Sequence, residues 1–95
     1  MLNQKQALQT AISRHKINPK ADFMITEKAS IDAIYGEWEE LARAQGRSPH
    51  LPNRSNFAEE LADIVICCMT LAEFEGIPLE TIIEEKMEYN RKRKD

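Results

Sequence analysis

Apolar residues along this chain return every three or four positions over long stretches, the spacing that gives an α-helix one buried stripe. Four such segments cover most of the sequence. A helix over about residues 2–15 carries a narrow stripe of Leu8, Ala11 and Ile12. Residues 17–23 contain Asn18-Pro19, which favours a turn and blocks helix continuation, so a connector is expected there. A second helix over about 26–45 sets Ile31, Ile34, Tyr35, Trp38, Leu41 and Ala42 on one face, with Gly46 just beyond its end as a cap. Residues 47–55 hold Pro49 and Pro52 together with Arg47, His50 and Arg54, and read as a loop. The third helix starts at Ser55 or Asn56, with Glu59 three residues after Asn56 as in a capping box, and stops at Gly76. Pro78 suits the first turn of a fourth helix, which runs through Leu79, Ile82, Ile83 and Met87 to a basic end at 91–94.

The third segment is apolar nearly all round. Phe57, Leu61, Ile64, Val65, Cys68 and Leu71 form one face, while Ile66 and Met69 lie roughly opposite. Such a helix is covered on two sides, one by its own bundle and the other, in so small a protein, most simply by a neighbouring subunit. A chain of 95 residues folding alone buries only about 60–65% of its unfolded surface, so a second subunit would help it. The expectation is a single all-α domain over residues 1–95, a four-helix-bundle-like protomer that assembles into a homodimer or homotetramer.

Composition adds exclusions. The chain is 42% hydrophobic and 31% charged with three Gly and four Pro, which suits long uninterrupted helices in a globular protein. Its net charge of -3 offers no global positive field, so a nucleic acid partner is not expected. The run Arg91-Lys92-Arg93-Lys94 is short and fits the electrostatics of a helix C-terminus. Leu2-Asn3-Gln4-Lys5 lacks the apolar core of a secretory signal, and no run approaches membrane-spanning length, so a cytoplasmic protein without a membrane partner is expected. Cys67 and Cys68 are adjacent on a helix and diverge by about 100 degrees, a poor geometry for a disulfide. With no His or third Cys at ligand spacing they read as buried, inert thiols. His15 and His50 are likewise far from metal-ligand spacing and read as surface or packing residues. Tyr35 and Trp38 read as core or interface, although an aromatic near a site could stack on a base.

The chemistry lies in the acids. Glu37 and Glu40 are three residues apart on the second helix, on a stripe completed by the small residues Ala33 and Ala44, whereas Glu39 points to solvent. Glu60 and Asp63 repeat the spacing on the third helix, and the helical wheel puts Glu60 between Cys67 and Leu71, inside the apolar face. A lone Glu-x-x-Glu is usually a solvated pair, and a salt-bridged bundle is the plain alternative for all four. Two such pairs facing each other across antiparallel helices carry an electrostatic cost that a cation would resolve. All-oxygen carboxylate ligation selects a hard ion, Mg²⁺ or Mn²⁺ rather than zinc, and Mg²⁺ commonly shares its ligands with substrate phosphates. On the fourth helix Lys86, Asn90 and Arg93 share a face with Leu79, Ile82 and Ile83, where they could bind the phosphates or base of a nucleotide or simply form a solvated last turn.

These residues resemble the MazG-like family of all-α nucleoside triphosphate pyrophosphohydrolases. That family's pattern is Glu-Glu-x-x-Glu followed after a variable gap by Glu-x-x-Asp. The sequence here reads Gly36-Glu37-Trp38-Glu39-Glu40, then Glu60-Leu61-Ala62-Asp63 after nineteen intervening residues. Gly76-Ile77-Pro78-Leu79 and the segment from Lys86 through Asn90 to Arg93 follow the family's order as well. The departure is Gly36, where the family commonly has its first Glu; that acid lies off the metal-facing stripe, so its loss touches a supporting role. The resemblance implies hydrolysis between the α and β phosphates by water, with Mg²⁺ held by Glu37, Glu40, Glu60 and Asp63. It implies nucleotide contacts from Lys86 and Asn90, with Arg93 and Lys28 as weaker candidates, and sites lined by more than one subunit. The expected role is removal of non-standard or surplus nucleotides. Phosphoribosyl-ATP pyrophosphohydrolase, and a non-catalytic helical dimerisation module, are the alternatives.

Overall fold

The first helix, α1 (Gln4–Ser13), begins where the Asn3 side chain accepts the Gln6 amide at 3.0 Å, a two-residue retreat from the expected start that lets a polar cap satisfy an otherwise orphaned N–H. The structure is a computed structural model that describes residues 2–14, 16 and 23–93, with the backbone alone for 23–26. The connector expected at 17–23 and His15 therefore lie outside the described residues, except that Phe23 already belongs to a helix. That helix, α2 (Phe23–Arg43), starts earlier and stops earlier than the hydrophobic pattern indicated. Gly46 does have the left-handed φ of 70° expected of it, but three residues past the helix end. There it shapes the loop, where its carbonyl accepts the Asn56 amide at 2.8 Å.

Helix α3 (Asn56–Phe74) is capped by Ser55, whose hydroxyl accepts the Ala58 amide at 3.0 Å. With Ser55 as N-cap, Glu59 falls one position too late for a capping box, and its carboxylate turns to the preceding loop instead. The far end closes as a Schellman turn: Gly76 at φ 71° sends its N–H to the Glu73 carbonyl at 3.2 Å, while Ile77 reaches back to Ala72 at 2.8 Å. Helix α4 (Leu79–Lys92) follows, with Pro78 just outside it as N-cap. The amide of Gln4 fastens this corner from α1, donating to the Ile77 carbonyl at 2.7 Å and to Glu73 at 2.9 Å and accepting from Leu79 N–H at 3.2 Å.

The protein is all-helical among the described residues, with α1 and α2 both packed along α3. The expected fourth member of the bundle departs from the pattern, because α4 meets α3 only sparsely and every residue from 81 to 93 is exposed. The radius of gyration, 15.0 Å, exceeds the roughly 12 Å of a compact chain of this length. Surface tells the same story: 7530 Å² is accessible, against about 5,600 Å² expected for a folded monomer of 11.0 kDa. Among the described residues no large side chain is fully buried, and the buried apolar side chains are Ala7 and Ala72. Both faces of α3 were expected to be covered, yet Phe57, Leu61, Val65 and Ile66 remain exposed, as do Tyr35 and Trp38 on α2. Within one chain these residues are not core. The apolar stripes of α2, α3 and α4 are real, but the single chain covers only part of them. No helix among the described residues is long and apolar enough to cross a membrane.

Candidate functional site

Glu27 lies near Glu75 while Glu37 meets Glu60 and Asp63, so α2 and α3 run antiparallel and acids at i, i+3 spacing on each come face to face. Glu37, Glu60 and Asp63 each place a carboxylate oxygen within 4.8 Å of the other two. Glu40 is more exposed and stands beside them, close enough for its charge to act on all three. Among the described residues no Arg or Lys lies within ion-pair distance of the four, whereas Glu39 pairs outward with Arg43 at 3.8 Å. Among the described residues, then, these acids do not form the salt-bridged alternative.

The consequence is electrostatic frustration. Glu37 Oε2 and Glu60 Oε2 are both buried without a hydrogen-bond partner, which is costly for an ionised carboxylate. Loss of hydration pushes the Glu60 carboxyl up to about 7 from 4.5, with contact to Glu40 and the charges of Glu40, Asp63 and Glu37 adding to it. Burial likewise raises Glu37, reinforced by Glu40 and Asp63, and raises Asp63, reinforced by Glu59 and Glu40. Glu37, Glu60 and Asp63 interact closely enough to titrate together rather than as separate groups. Two orphaned buried oxygens in an all-oxygen donor set fit a hard divalent cation such as Mg²⁺ or Mn²⁺, which would replace both the missing hydrogen bonds and the missing positive charge.

Beside this corner opens a cavity of about 480 Å³ walled by α1, α2 and α3. Small side chains make the room: Ala7 and Ala11 on α1, Ala29 and Ala33 on α2. Ile66, Cys67 and Met69 of α3 form an apolar wall, with Asn3, Gln6, Ser30 and Thr70 as polar points. Glu37 and Asp63 stand at the acidic end of the cavity, and Arg14 and Lys16 line it as well. Lys16 is near enough for its charge to favour ionised Asp63, against the larger opposing effects of burial and of Glu59 and Glu40. Cys67 is a half-buried free thiol on this wall, pushed up by burial and by the charges of Glu37 and Asp63; Cys68, also free, is raised by burial alone. The pair makes no disulfide, as expected, but Cys67 faces the cavity.

The remaining candidates stand apart. Lys28 is exposed on α2 and paired with Asp32 at 3.1 Å, and it does not line the cavity. Lys86, Asn90 and Arg93 lie on exposed α4, where the Lys86 ammonium sits 4.5 Å from the centre of the Tyr89 ring. A single chain does not bring them to the acids. Conversely, sequence reasoning passed over Arg14 and Lys16. A signal for Arg14 was present, since positions 7, 11 and 14 continue one stripe of α1; Lys16 lies beyond the helix and had none. His50, read from the sequence as a surface or packing residue, is indeed exposed, and its Nδ1 lies 2.9 Å from Glu59 Oε2, a pairing the spacing did not indicate.

The chain is thus an all-α domain that gathers carboxylates from two helices beside a cavity, a donor set able to hold a divalent cation. Residues 33–95 match the MazG-like family, and the chain belongs to that family. The matched region contains all four acids together with Lys86, Asn90 and Arg93, but not α1, Lys28 or the cavity-lining Arg14 and Lys16. Comparison with curated proteins and with solved structures finds no match. Membership points to nucleotide pyrophosphohydrolase-type chemistry at the level of the family.

Proposed function

We propose that this protein is a Mg²⁺-dependent nucleoside triphosphate pyrophosphohydrolase that converts a (d)NTP and water to the (d)NMP and pyrophosphate, with nucleotide-pool cleaning as its role. The observation that carries the reading is the pair of buried, unpartnered carboxylate oxygens of Glu37, which lines the cavity, and of Glu60, clustered with Glu37 and Asp63. A bundle that only needed to be stable would not hold them there. Glu37, Glu60 and Asp63, with Glu40 beside them, are the residues that would hold the metal. When bound, such an ion supplies charge neutralisation on the phosphates and a more acidic water.

The chain's own residues do the rest. The Ala-lined cavity takes the nucleoside, with Asn3, Gln6, Ser30 and Thr70 as polar contacts for base and sugar, which places the α-phosphate next to Glu37 and Asp63. Arg14 and Lys16 balance phosphate charge from the α1 side. Water attacks the α-phosphorus, the bridging bond to the β-phosphate breaks, and one of the four carboxylates accepts the proton that the water loses. Pyrophosphate leaves as the second product.

Assembly belongs to the same reading. The uncovered faces of α2, α3 and α4 are those a second copy would bury, and a partner's α4 would bring Lys86 and Asn90 to a site that lacks them. The test is a panel of dNTPs, NTPs and phosphoribosyl-ATP with and without Mg²⁺, scored by pyrophosphate release. Metal-dependent turnover of at least one nucleoside triphosphate is expected. Turnover confined to phosphoribosyl-ATP would reassign the substrate, and undiminished turnover in Glu60→Gln or Asp63→Asn would remove the carboxylate mechanism.

A further inference from the structure

The loop between α2 and α3 is tied to α3 through one buried hydroxyl. Ser48, only 4% exposed, donates from Oγ to Glu59 Oε1 and accepts the backbone amides of Leu51 at 2.8 Å and His50 at 3.2 Å. That arrangement anchors the loop without help from the His50 ring, which is largely solvent-facing, its side chain 77% exposed. Yet the ring is not free to wander. Glu59 Oε2 holds Nδ1 at 2.9 Å, so the opposite edge, Nε2, is presented outward in a fixed direction.

Position gives that edge a target. The cavity follows α3 from Thr70 to Asp63, about 10 Å of helix, and Glu59 lies one further turn, about 6 Å, beyond Asp63 on the same side. A nucleoside in the cavity with its α-phosphate at Asp63 therefore directs its β- and γ-phosphates toward Glu59 and the loop. Resting on the function proposed above, we propose that His50, aimed by Glu59 and Ser48, is a phosphate-binding residue for the pyrophosphate end of the triphosphate.

The electrostatics agree. The hydrogen bond that the ring donates to Glu59, and then the charge of Glu59, push the imidazole up from its ordinary value, partial desolvation opposes this, and the charges of Asp63 and Glu60 add to the rise. The acids facing the ring thus favour an imidazolium, whose Nε2–H can donate to a phosphate oxygen while Nδ1–H stays on Glu59.

The experiment is calorimetric titration of the full chain with Mg²⁺-pyrophosphate and, separately, with a nucleoside monophosphate, beside steady-state kinetics on the turned-over substrate. His50→Gln is expected to weaken pyrophosphate about five- to tenfold and raise KM by a similar factor, with kcat within about twofold. Monophosphate affinity, Mg²⁺ affinity and Tm should stay at wild-type values. Pyrophosphate affinity unchanged in the variant, or lost together with Tm or Mg²⁺ affinity as a structural role would give, overturns the assignment while wild-type turnover keeps the function standing. A wild type that binds no pyrophosphate also overturns it. Failure of the enzymatic reading itself shows separately, as absence of wild-type turnover on the nucleotide panel.

Discussion

Glu59 and Glu60 are neighbours on α3 with opposite fates. Glu59 has both oxygens engaged, one by Ser48 and one by His50, and these two contacts hold its carboxyl below the usual value. Glu60, turned about 100 degrees round the helix, has a buried oxygen with no partner and a carboxyl raised to about 7. The same residue type, one position apart, makes a loop anchor in one case and an unbalanced charge in the other. What separates them is whether the fold supplies a donor, and a fold that withholds one from a buried acid leaves it for a ligand to supply.

The contrast is broken most severely by changing the unbalanced side. Glu60→Gln and Asp63→Asn should each lower kcat/KM by at least about a hundredfold, about 3 kcal/mol of transition-state stabilisation, while raising the Tm of the metal-free protein because a repulsive charge is gone. Glu59→Gln should do the reverse, lowering Tm and costing less than about tenfold in turnover. Next in size is the anchor: Ser48→Ala strands its partners and should cost about 1–3 kcal/mol in chemical denaturation, with Mg²⁺ affinity little changed. Lys16→Ala, which removes a cation from the acidic end of the cavity, should lower kcat/KM about tenfold and weaken a bound monophosphate, leaving Tm unaltered.

The smallest effect is the most diagnostic. Glu60 binds its proton more tightly in the folded chain, at about 7, than at the ordinary 4.5, so between those values the native state carries more protons than the unfolded one. Metal-free stability should therefore fall as pH rises from about 4.5 to about 7 and level off above that, the opposite of a salt-bridged carboxylate. Saturating Mg²⁺ should flatten the trend, and thermal melts at pH 5 and pH 8 with and without the ion measure it. A rise in Tm toward pH 8 without metal would mean the acids are balanced after all.

Much of this was legible beforehand, for local reasons. The clustering of Glu37, Glu60 and Asp63, with Glu40 exposed beside them, follows from i, i+3 spacing, which fixes direction on a helix regardless of what lies across from it. The Gly76 stop follows from the one residue type that adopts a left-handed φ without strain. The capping box at Glu59 failed because Ser55 and Asn56 both qualify as caps, and shifting the cap by one residue moved Glu59 out of register. The placement of α4 failed because its amphipathic pattern announces an apolar face without naming the surface that covers it. The same holds for Lys86, Asn90 and Arg93: a wheel gives the face and not the neighbour. Lys16 and the pairing of His50 with Glu59 are long-range consequences of packing, and no spacing rule reaches across a loop.

The corner at Gly76 has a kinetic side. The left-handed glycine, the three hydrogen bonds of the Gln4 amide and the Leu2 amide on Glu80 set the departure angle of α4 from its first turn. Its exposed Ile82, Ile83 and Met87 are carried on a pre-aimed arm, so a surface that receives them need not wait for the arm to order. Encounter should then proceed as rigid-body docking, at roughly 10⁵–10⁷ M⁻¹s⁻¹, with the lifetime of the complex rather than its rate of formation left for the apolar contact to determine.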